Sequence, residues 1–341
     1  MTNIKLIHPK SGATVSLATR RQASFREFVG KADPTLIPRW MKVDCRKNRE
    51  DLSIPKPVRF SWESDEPGKP VLFELAEDKK FNTVVVSREC VSPTEVYNLK
   101  TDTQYFWRVS GGRARSFRTA DTFVRMIRAD GASNIRDVGS LKRSDGTRLR
   151  QGLLYRGTEM DVHHTVTEGG IRSLLDLGIK TDLDIRGDPP ENCISSPLGD
   201  SVRYVNMPCL QYHQFIEAKN CSPLLEFLAD EENYPIYIHC WAGADRTGTL
   251  MYVLETILGV SEEDRLAEYE ITSLSIWGDR RRSKVGWGWG LFMEVLAKYD
   301  GKNNDERVFA FLDDCGVKGE TLDKIRKIFT DNTVESKETK K

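Results

Sequence analysis

The sequence carries no surplus of charge: 51 Lys and Arg stand against 51 Asp and Glu over 341 residues. That balance gives no electrostatic case for a nucleic-acid partner or an anionic membrane. No apolar run approaches bilayer-spanning length, and Met1-Thr2-Asn3-Ile4-Lys5-Leu6 has no apolar signal core, so neither a membrane span nor export is expected. Paired cysteine spacing is missing too. The seven cysteines, at 45, 90, 193, 209, 221, 240 and 315, are scattered and odd in number, which excludes a disulfide scaffold and points to a reducing, cytoplasmic setting. No internal repeat is visible. The length allows two domains, and residues 332–341 read as a polar, disordered tail.

What is present centres on residues 237–249, Tyr-Ile-His-Cys-Trp-Ala-Gly-Ala-Asp-Arg-Thr-Gly-Thr. Before it, Tyr234 to Ile238 is a short apolar run suited to a buried strand. After it, Leu250, Val253, Leu254, Ile257 and Leu258 recur at helical spacing, and Gly259 supplies a stop. A strand, a tight loop and a helix N-terminus follow one another. The N–H groups of such a loop form an anion-binding nest for a tetrahedral oxyanion. Cys240 at its floor is then favoured as the thiolate, the nucleophilic form. Arg246, five residues beyond, can grip two phosphoryl oxygens with its planar fork. Thr247 brings a hydroxyl within reach of the sulfur, and His239 can bond loop carbonyls.

This stretch resembles the His-Cys-x5-Arg-Ser/Thr signature of the protein tyrosine phosphatase superfamily, and most of all its atypical, bacterial dual-specificity-like branch. The resemblance implies an α/β fold with a mainly parallel central sheet. It implies phosphoryl transfer through a cysteinyl-phosphate, with Cys240 and Arg246 catalytic. The phosphate would lie against Trp241, Ala242, Gly243, Ala244 and Thr247, with neither metal nor other cofactor. A second stretch agrees: Asn134-Ile135-Arg136-Asp137-Val138-Gly139 and Leu154-Tyr155-Arg156-Gly157 resemble the opening of the same branch, as bracing pairs in preference to site-lining groups. Asp184-Ile185-Arg186 resembles an Asp-x-Arg beside the phosphate loop, open between groups that support the loop or face the substrate and an exposed pair capping a strand. Tyr269-Glu270-Ile271-Thr272 matches a further family segment.

The N-terminal third is patterned differently. Val58, Phe60 and Trp62 alternate, as do Val71, Phe73 and Leu75, and Tyr105-Phe106-Trp107-Arg108-Val109 and Ser116-Phe117-Arg118-Thr119 follow between turn signals. Short strands at this spacing predict an antiparallel sandwich. With Trp62 and the Leu99-to-Tyr105 tyrosine-corner pattern, the run resembles a fibronectin type III or immunoglobulin-like domain. Domains are therefore expected at 1–120 (sandwich) and 121–331 (phosphatase). Ala23 to Val29 reads as a helical insertion.

In the second half, Thr167 reads as the N-cap of a helix to Leu177, Ile179 to Ile185 as a strand, and Ser222-Pro223 as a cap for a helix through Leu228. The leaving group needs a proton, and the stretch 207–215, where many relatives carry an Asp, has no acid. Asp245 is the preferred donor, with Asp184 and His213 as alternatives. Ala244 stands where the branch often has Lys, which weakens an inositol phosphate or phosphoinositide substrate. Arg280, Arg281, Arg282 and Lys284 read as a solvated face, and Trp287 and Trp289 as packing. The expected partner is a phosphotyrosine protein or another phosphomonoester, with the sandwich open to protein partners or self-association. A phospho-binding module without turnover is the reading from a different class.

Overall fold

The computed structural model describes residues 3–28, 50–187, 193–209, 218–278, 280 and 288–330. Two compact units emerge, the first made of Met1–Ala23 and Pro55–Arg125, the second of Ser24–Ile54 and Met126–Lys341.

The first unit carries β1 (Ile4–His8), β2 (Ala13–Val15), β3 (Val58–Ser64), β4 (Val71–Ala76), β5 (Val84–Cys90), β6 (Thr94–Val96), β7 (Gln104–Val109) and β8 (Arg115–Thr119). They form a three-stranded sheet, β1-β3-β6, and a five-stranded sheet, β2-β8-β7-β4-β5. All pairs are antiparallel except β2 on β8. Alternation has the expected result: Val58, Phe60 and Trp62 turn inward from β3 while Arg59 and Glu63 face out. Both sheets feed one core, in which Phe60 meets Phe73, Trp107 and Phe117 edge-on at 4.9, 5.2 and 5.6 Å. Edge-on contact sets the positive ring rim against a negative face. The Tyr105 hydroxyl, at the end of the corner pattern, accepts the Lys100 N–H at 2.9 Å.

The expected single block 1–120 is interrupted. The helix α1 (Arg20–Phe28) starts three residues earlier than its pattern suggested. Residues 50–54 join the second unit, where the Leu52 N–H bonds the Leu274 carbonyl and the Ser53 hydroxyl accepts the Asn134 N–H.

In the second unit β9 (Arg125–Met126), β10 (Arg136–Asp137), β11 (Leu154–Gly157), β12 (Thr181–Arg186), β13 (Arg203–Cys209) and β14 (Ile236–His239) make one sheet in the order β13-β12-β14-β11-β10-β9. β13, β12, β14 and β11 run parallel, and β10 joins β11 antiparallel. β14 lies between β12 and β11, and its four residues are all buried. That explains its uninterrupted apolar run, since a strand covered on both faces has no polar side to show.

The helices are α2 (Glu168–Leu175), α3 (Ala218–Leu228), α4 (Asp245–Ile257), α5 (Glu262–Glu270), α6 (Gly288–Leu296), α7 (Asn304–Asp314) and α8 (Gly319–Thr330). Thr167 caps α2 by accepting the Gly170 N–H, and Ser261 caps α5 through the Asp264 N–H. α3 begins ahead of Ser222, with Pro223 inside it, so Ser222-Pro223 is not its cap. α4 is buried over its whole length. Among the described residues no helix is long and apolar enough to cross a membrane. The six described cysteines are free thiols. Cys45, His213 and residues 332–341 lie outside the described residues.

Replacing Tyr105 by Phe deletes the bond to the Lys100 N–H while keeping the ring. Urea denaturation of the variant should show a loss of about 1–2 kcal/mol; an unchanged midpoint would mean that this bond does not hold the corner.

Candidate active site

β14 delivers Cys240 to the end of the central strand, and residues 240–244 then turn into α4. Gly243 sits at φ +59, and a Cβ there would lie 2.0 Å from the Gly157 carbonyl oxygen. The loop can lie this close to the end of β11 only because position 243 has no side chain.

Each carbonyl of the loop is held from outside it. His239 Nδ1 donates to the Cys240 carbonyl at 3.1 Å, since a carbonyl can only accept. The Glu159 N–H bonds the Trp241 carbonyl at 3.1 Å. Asn134 Nδ2 takes the carbonyls of Ala242 at 3.0 Å and Gly243 at 3.2 Å. Arg156 reaches Gly243 at 2.6 Å and Ala244 at 3.3 Å. In a trans peptide the N–H lies opposite the C=O, so carbonyls drawn outward turn the following N–H groups toward the loop's interior. No side chain caps α4 at Ala244. The positive end of the helix thus opens onto the loop, the arrangement that binds anions elsewhere.

The braces are charged and buried. Glu268 bridges two guanidiniums, Arg136 Nε at 2.5 Å and Arg156 Nη1 at 2.6 Å, with all three side chains at most 2% exposed. Arg136 also donates to the carbonyl and side-chain oxygen of Asn134, at 3.0 and 2.5 Å. Bracing, expected for Asn134, Arg136 and Arg156, is what these residues do. Asp137 braces as well, accepting the N–H groups of Gly139 and Gly152.

His239 Nε2 stands 3.0 Å from Asp182 Oδ1, and Nδ1 lies 3.9 Å from Asp184 Oδ1. Burial alone would lower the imidazolium's pKa, but the Asp182 and Asp184 carboxylates outweigh it and push it up to about 9. A buried cation therefore adjoins the nucleophile candidate.

Asp184 and Arg186 are neither exposed nor turned to solvent. Arg186 Nε bonds both Asp184 oxygens at 3.0 and 2.9 Å, and its terminal nitrogens grip Asp161 at 2.9 and 3.0 Å. Tyr204 donates to Asp184 as well. The guanidinium lies over the Trp241 ring at 4.6 Å. The pair thus supports Trp241 and Asp161, and the exposed strand-cap alternative falls away. Burial would raise the Asp161 carboxyl, yet hydrogen bonds from Arg186 hold it below the ordinary carboxylate range.

Cys240, Asp245 and Arg246 are 3–4% exposed, and Ala244 and Thr247 are fully enclosed. Arg246 Nη1 donates to the Cys209 carbonyl at 3.3 Å. Asp245 accepts the Tyr269 hydroxyl at 2.9 Å and Arg280 Nε at 3.2 Å. Arg280 is therefore not simply part of a solvated face; Arg281, Arg282, Lys284 and Trp287 lie outside the described residues. The Thr247 hydroxyl makes no hydrogen bond among the described residues, to the sulfur or to anything else. Trp289 packs against Tyr252 and Tyr269, as expected.

One part of the site was not anticipated. The Glu159 carboxylate accepts the backbone N–H groups of Asp161, Val162, His163 and His164 at 2.7–3.1 Å and so shapes the loop beside Trp241. His163 meets the Trp241 ring edge-on at 4.9 Å and the Trp277 ring at 6.0 Å. Trp277 Nε1 donates to His164 Nε2 at 2.9 Å. His163, Trp241 and Trp277 form a partly exposed aromatic patch that begins on the loop itself. No sequence signal marks Trp277 for this, because its partners lie far along the chain; the Glu159 turn is local, two to five residues long, and went unread.

Residues 127–288 match the model of the tyrosine phosphatase family. Over this segment the chain is similar to that family. A Cupriavidus necator protein, provisionally named a tyrosine-protein phosphatase, is 26% identical over 41% of this chain. The chain spans 60% of that relative's length. Among solved structures, the core catalytic domain of the PP-IP phosphatase SIW14 from S. cerevisiae aligns at 16% identity and a TM-score of 0.34, covering 52% of this chain and 95% of that domain.

Glu255, on α4 of this family domain, is fully buried with no hydrogen bond to either oxygen among the described residues. Burial, reinforced by Glu268, pushes its carboxyl well above the ordinary range. The folded state then holds a proton that the unfolded chain releases above its own carboxylate pKa, so this group's contribution to stability falls as pH rises from there. Glu255→Gln removes that loss. Its melting temperature relative to wild type should climb between pH 5 and pH 8 by roughly 3 °C or more, and a flat difference would sink the assignment.

Proposed function

We propose that the chain hydrolyses phosphomonoesters through a cysteinyl-phosphate, with phosphotyrosine or a comparable aryl phosphate as substrate. The observation that carries this reading is the outward capture of every carbonyl from Cys240 to Ala244. It leaves a ring of N–H donors around a cysteine at an uncapped helix end. Such a ring holds the equatorial oxygens of a phosphoryl group, and the Arg246 guanidinium closes it.

The Cys240 thiolate attacks phosphorus, and the bond to the leaving oxygen breaks as that oxygen takes a proton from Asp245. Water then attacks the phosphorus and gives a proton back to the Asp245 carboxylate, the P–S bond breaks, and inorganic phosphate leaves with the thiolate restored. Both Asp245 oxygens accept hydrogen bonds, so one donor, Tyr269 or Arg280, must give way when the carboxyl carries its proton. Trp241, Ala242, Gly243 and Ala244 contribute through their backbone. Asp184 and Arg186 act at one remove, by fixing Trp241 and Asp161.

The aromatic patch of His163, Trp241 and Trp277 favours a flat leaving group over an inositol ring. Ala244 in place of a lysine argues the same way. We read the first unit as a fibronectin type III-like domain, supported by its two sheets around one aromatic core and by the Tyr105 corner bond. A free nucleophilic thiol fits a reducing compartment.

Phosphate release should be followed on phosphotyrosine and phosphoserine peptides, phosphoinositides and soluble inositol phosphates, with chelator present throughout. Wild type should turn over phosphotyrosine peptides, and Cys240→Ser should fall to background. Turnover surviving in that variant would overturn the cysteinyl-phosphate; a preference for inositol phosphates would overturn the substrate. Asp245→Asn should slow phenyl phosphate hydrolysis by about 10²-fold, and slow an ester with a strongly acidic leaving phenol far less. Equal losses on both would remove Asp245 as the acid.

A further inference from the structure

The first unit carries an open cavity of about 840 Å³ that no part of the proposed chemistry uses. Its origin lies in strand pairing. β1 runs beside β3 until His8, which pairs with Ser61. The chain then leaves β3, turns at Lys10–Gly12, and β2 joins the other sheet on β8. It comes back to the β3 side only where the Lys56 N–H bonds the Leu17 carbonyl at 2.8 Å. Between these two anchors the chain bows away from residues Pro57 to Phe60. Within β3, Val58, Arg59 and Phe60 pair with β6 on one side alone. On the other edge Pro57, Val58 and Arg59 line the cavity, a window of about 10 Å of extended chain.

An unpaired strand edge beside a cavity is a template for one more strand. The rim says which kind. Lys10, Lys56 and Arg59 line it together with His8, and no Asp or Glu does. None of the three cations has an ion-pair partner among the described residues. Fixed positive charge around the backbone N–H and C=O of Arg59, the exposed residue of this edge, suits carboxylates carried on an extended chain.

We propose that this window is a docking site for an extended acidic peptide segment of a partner protein, which adds as a strand along the free edge of β3 between Pro57 and Arg59. Its main chain bonds the β3 edge, and acidic side chains at alternate positions meet Lys10, Lys56 and Arg59. The site is independent of the phosphatase reading and places a recognition element on the same chain as the family domain.

The test uses the full-length protein and a fluorescein-labelled peptide of alternating Glu and Val, followed by anisotropy. Saturable binding is expected, weakened at least about tenfold in the Lys56→Glu, Arg59→Glu double variant. Methylating alternate backbone nitrogens of the peptide keeps its charge but removes main-chain donors, and should weaken binding to a similar degree. Both substitutions lie at exposed positions, so the variant's melting temperature should match wild type. Lack of saturable binding, equal affinity in the double variant, or equal affinity of the methylated peptide would each overturn the proposal. So would a sulfated oligosaccharide that binds the window while the peptide does not.

Discussion

The Glu268 carboxylate, shared between Arg136 and Arg156, is the contact on which the rest of the second unit's site depends. Arg156 pulls on the Gly243 and Ala244 carbonyls directly, and Arg136 pulls through Asn134 on those of Ala242 and, again, Gly243. Burying two guanidiniums without a carboxylate between them would be prohibitive, and a buried carboxylate without both arginines would be little better. The three side chains therefore stand or fall together. Their combined geometry decides which way the peptide planes of residues 242–244 face. Glu255 marks the limit of this arrangement: burial, and then the Glu268 charge, push the pKa of this second carboxyl well up.

The same construction recurs on the other side of the loop. Asp182 stands behind His239, and His239 donates to the Cys240 carbonyl. Asp184 stands behind Arg186, and Arg186 carries the Trp241 ring. In each case an acid sits away from the loop and a cation lies between it and the loop. The carboxylates thus offset the cost of burial, while the nearer charges facing a bound anion are positive. Parallel strands make this possible, because β11, β12 and β14 all end at the same edge, in register from Leu154 with Ile236 and from Thr181 with Ile236.

Much of this was legible from sequence where the signal is local. The apolar run of β14, the helical spacing of α4, the cap Thr167 and the alternation of β3 are each set by residues within one element. The signature named Cys240 and Arg246, and the motif at 134–139 suggested bracing. What stayed hidden depends on partners far apart in the chain. Glu268 lies over a hundred residues from Arg136 and Arg156, and Trp277 meets His164 across a similar distance. Asp184 and Arg186 could be read either way from sequence, since only their burial against Asp161 and Trp241 distinguishes support from contact. The attachment of residues 50–54 to the second unit was likewise invisible, because it involves one backbone bond from Leu52 to Leu274 and Ser53 meeting Asn134.

Asn134 shows how far the loop's shape is fixed before any ligand arrives. It is a non-glycine residue held at φ +61, a conformation that asparagine tolerates better than most. Its side chain oxygen faces Arg136 and its amide nitrogen faces the loop, so the rotamer has no freedom to turn over. Gly243 adds a second left-handed residue at the point of closest approach to β11. The left-handed Asn134 carries a conformational cost that the surrounding bonds must outweigh, whereas Gly243 adopts its φ without strain. A loop built this way has little reorganisation left to undergo when an oxyanion binds. Preorganised donors of this sort are the main source of stabilisation where charge spreads over phosphoryl oxygens. The rigid braces, rather than the thiol alone, are therefore what make the loop suited to phosphate, and they explain why so much buried charge is gathered behind five residues of backbone.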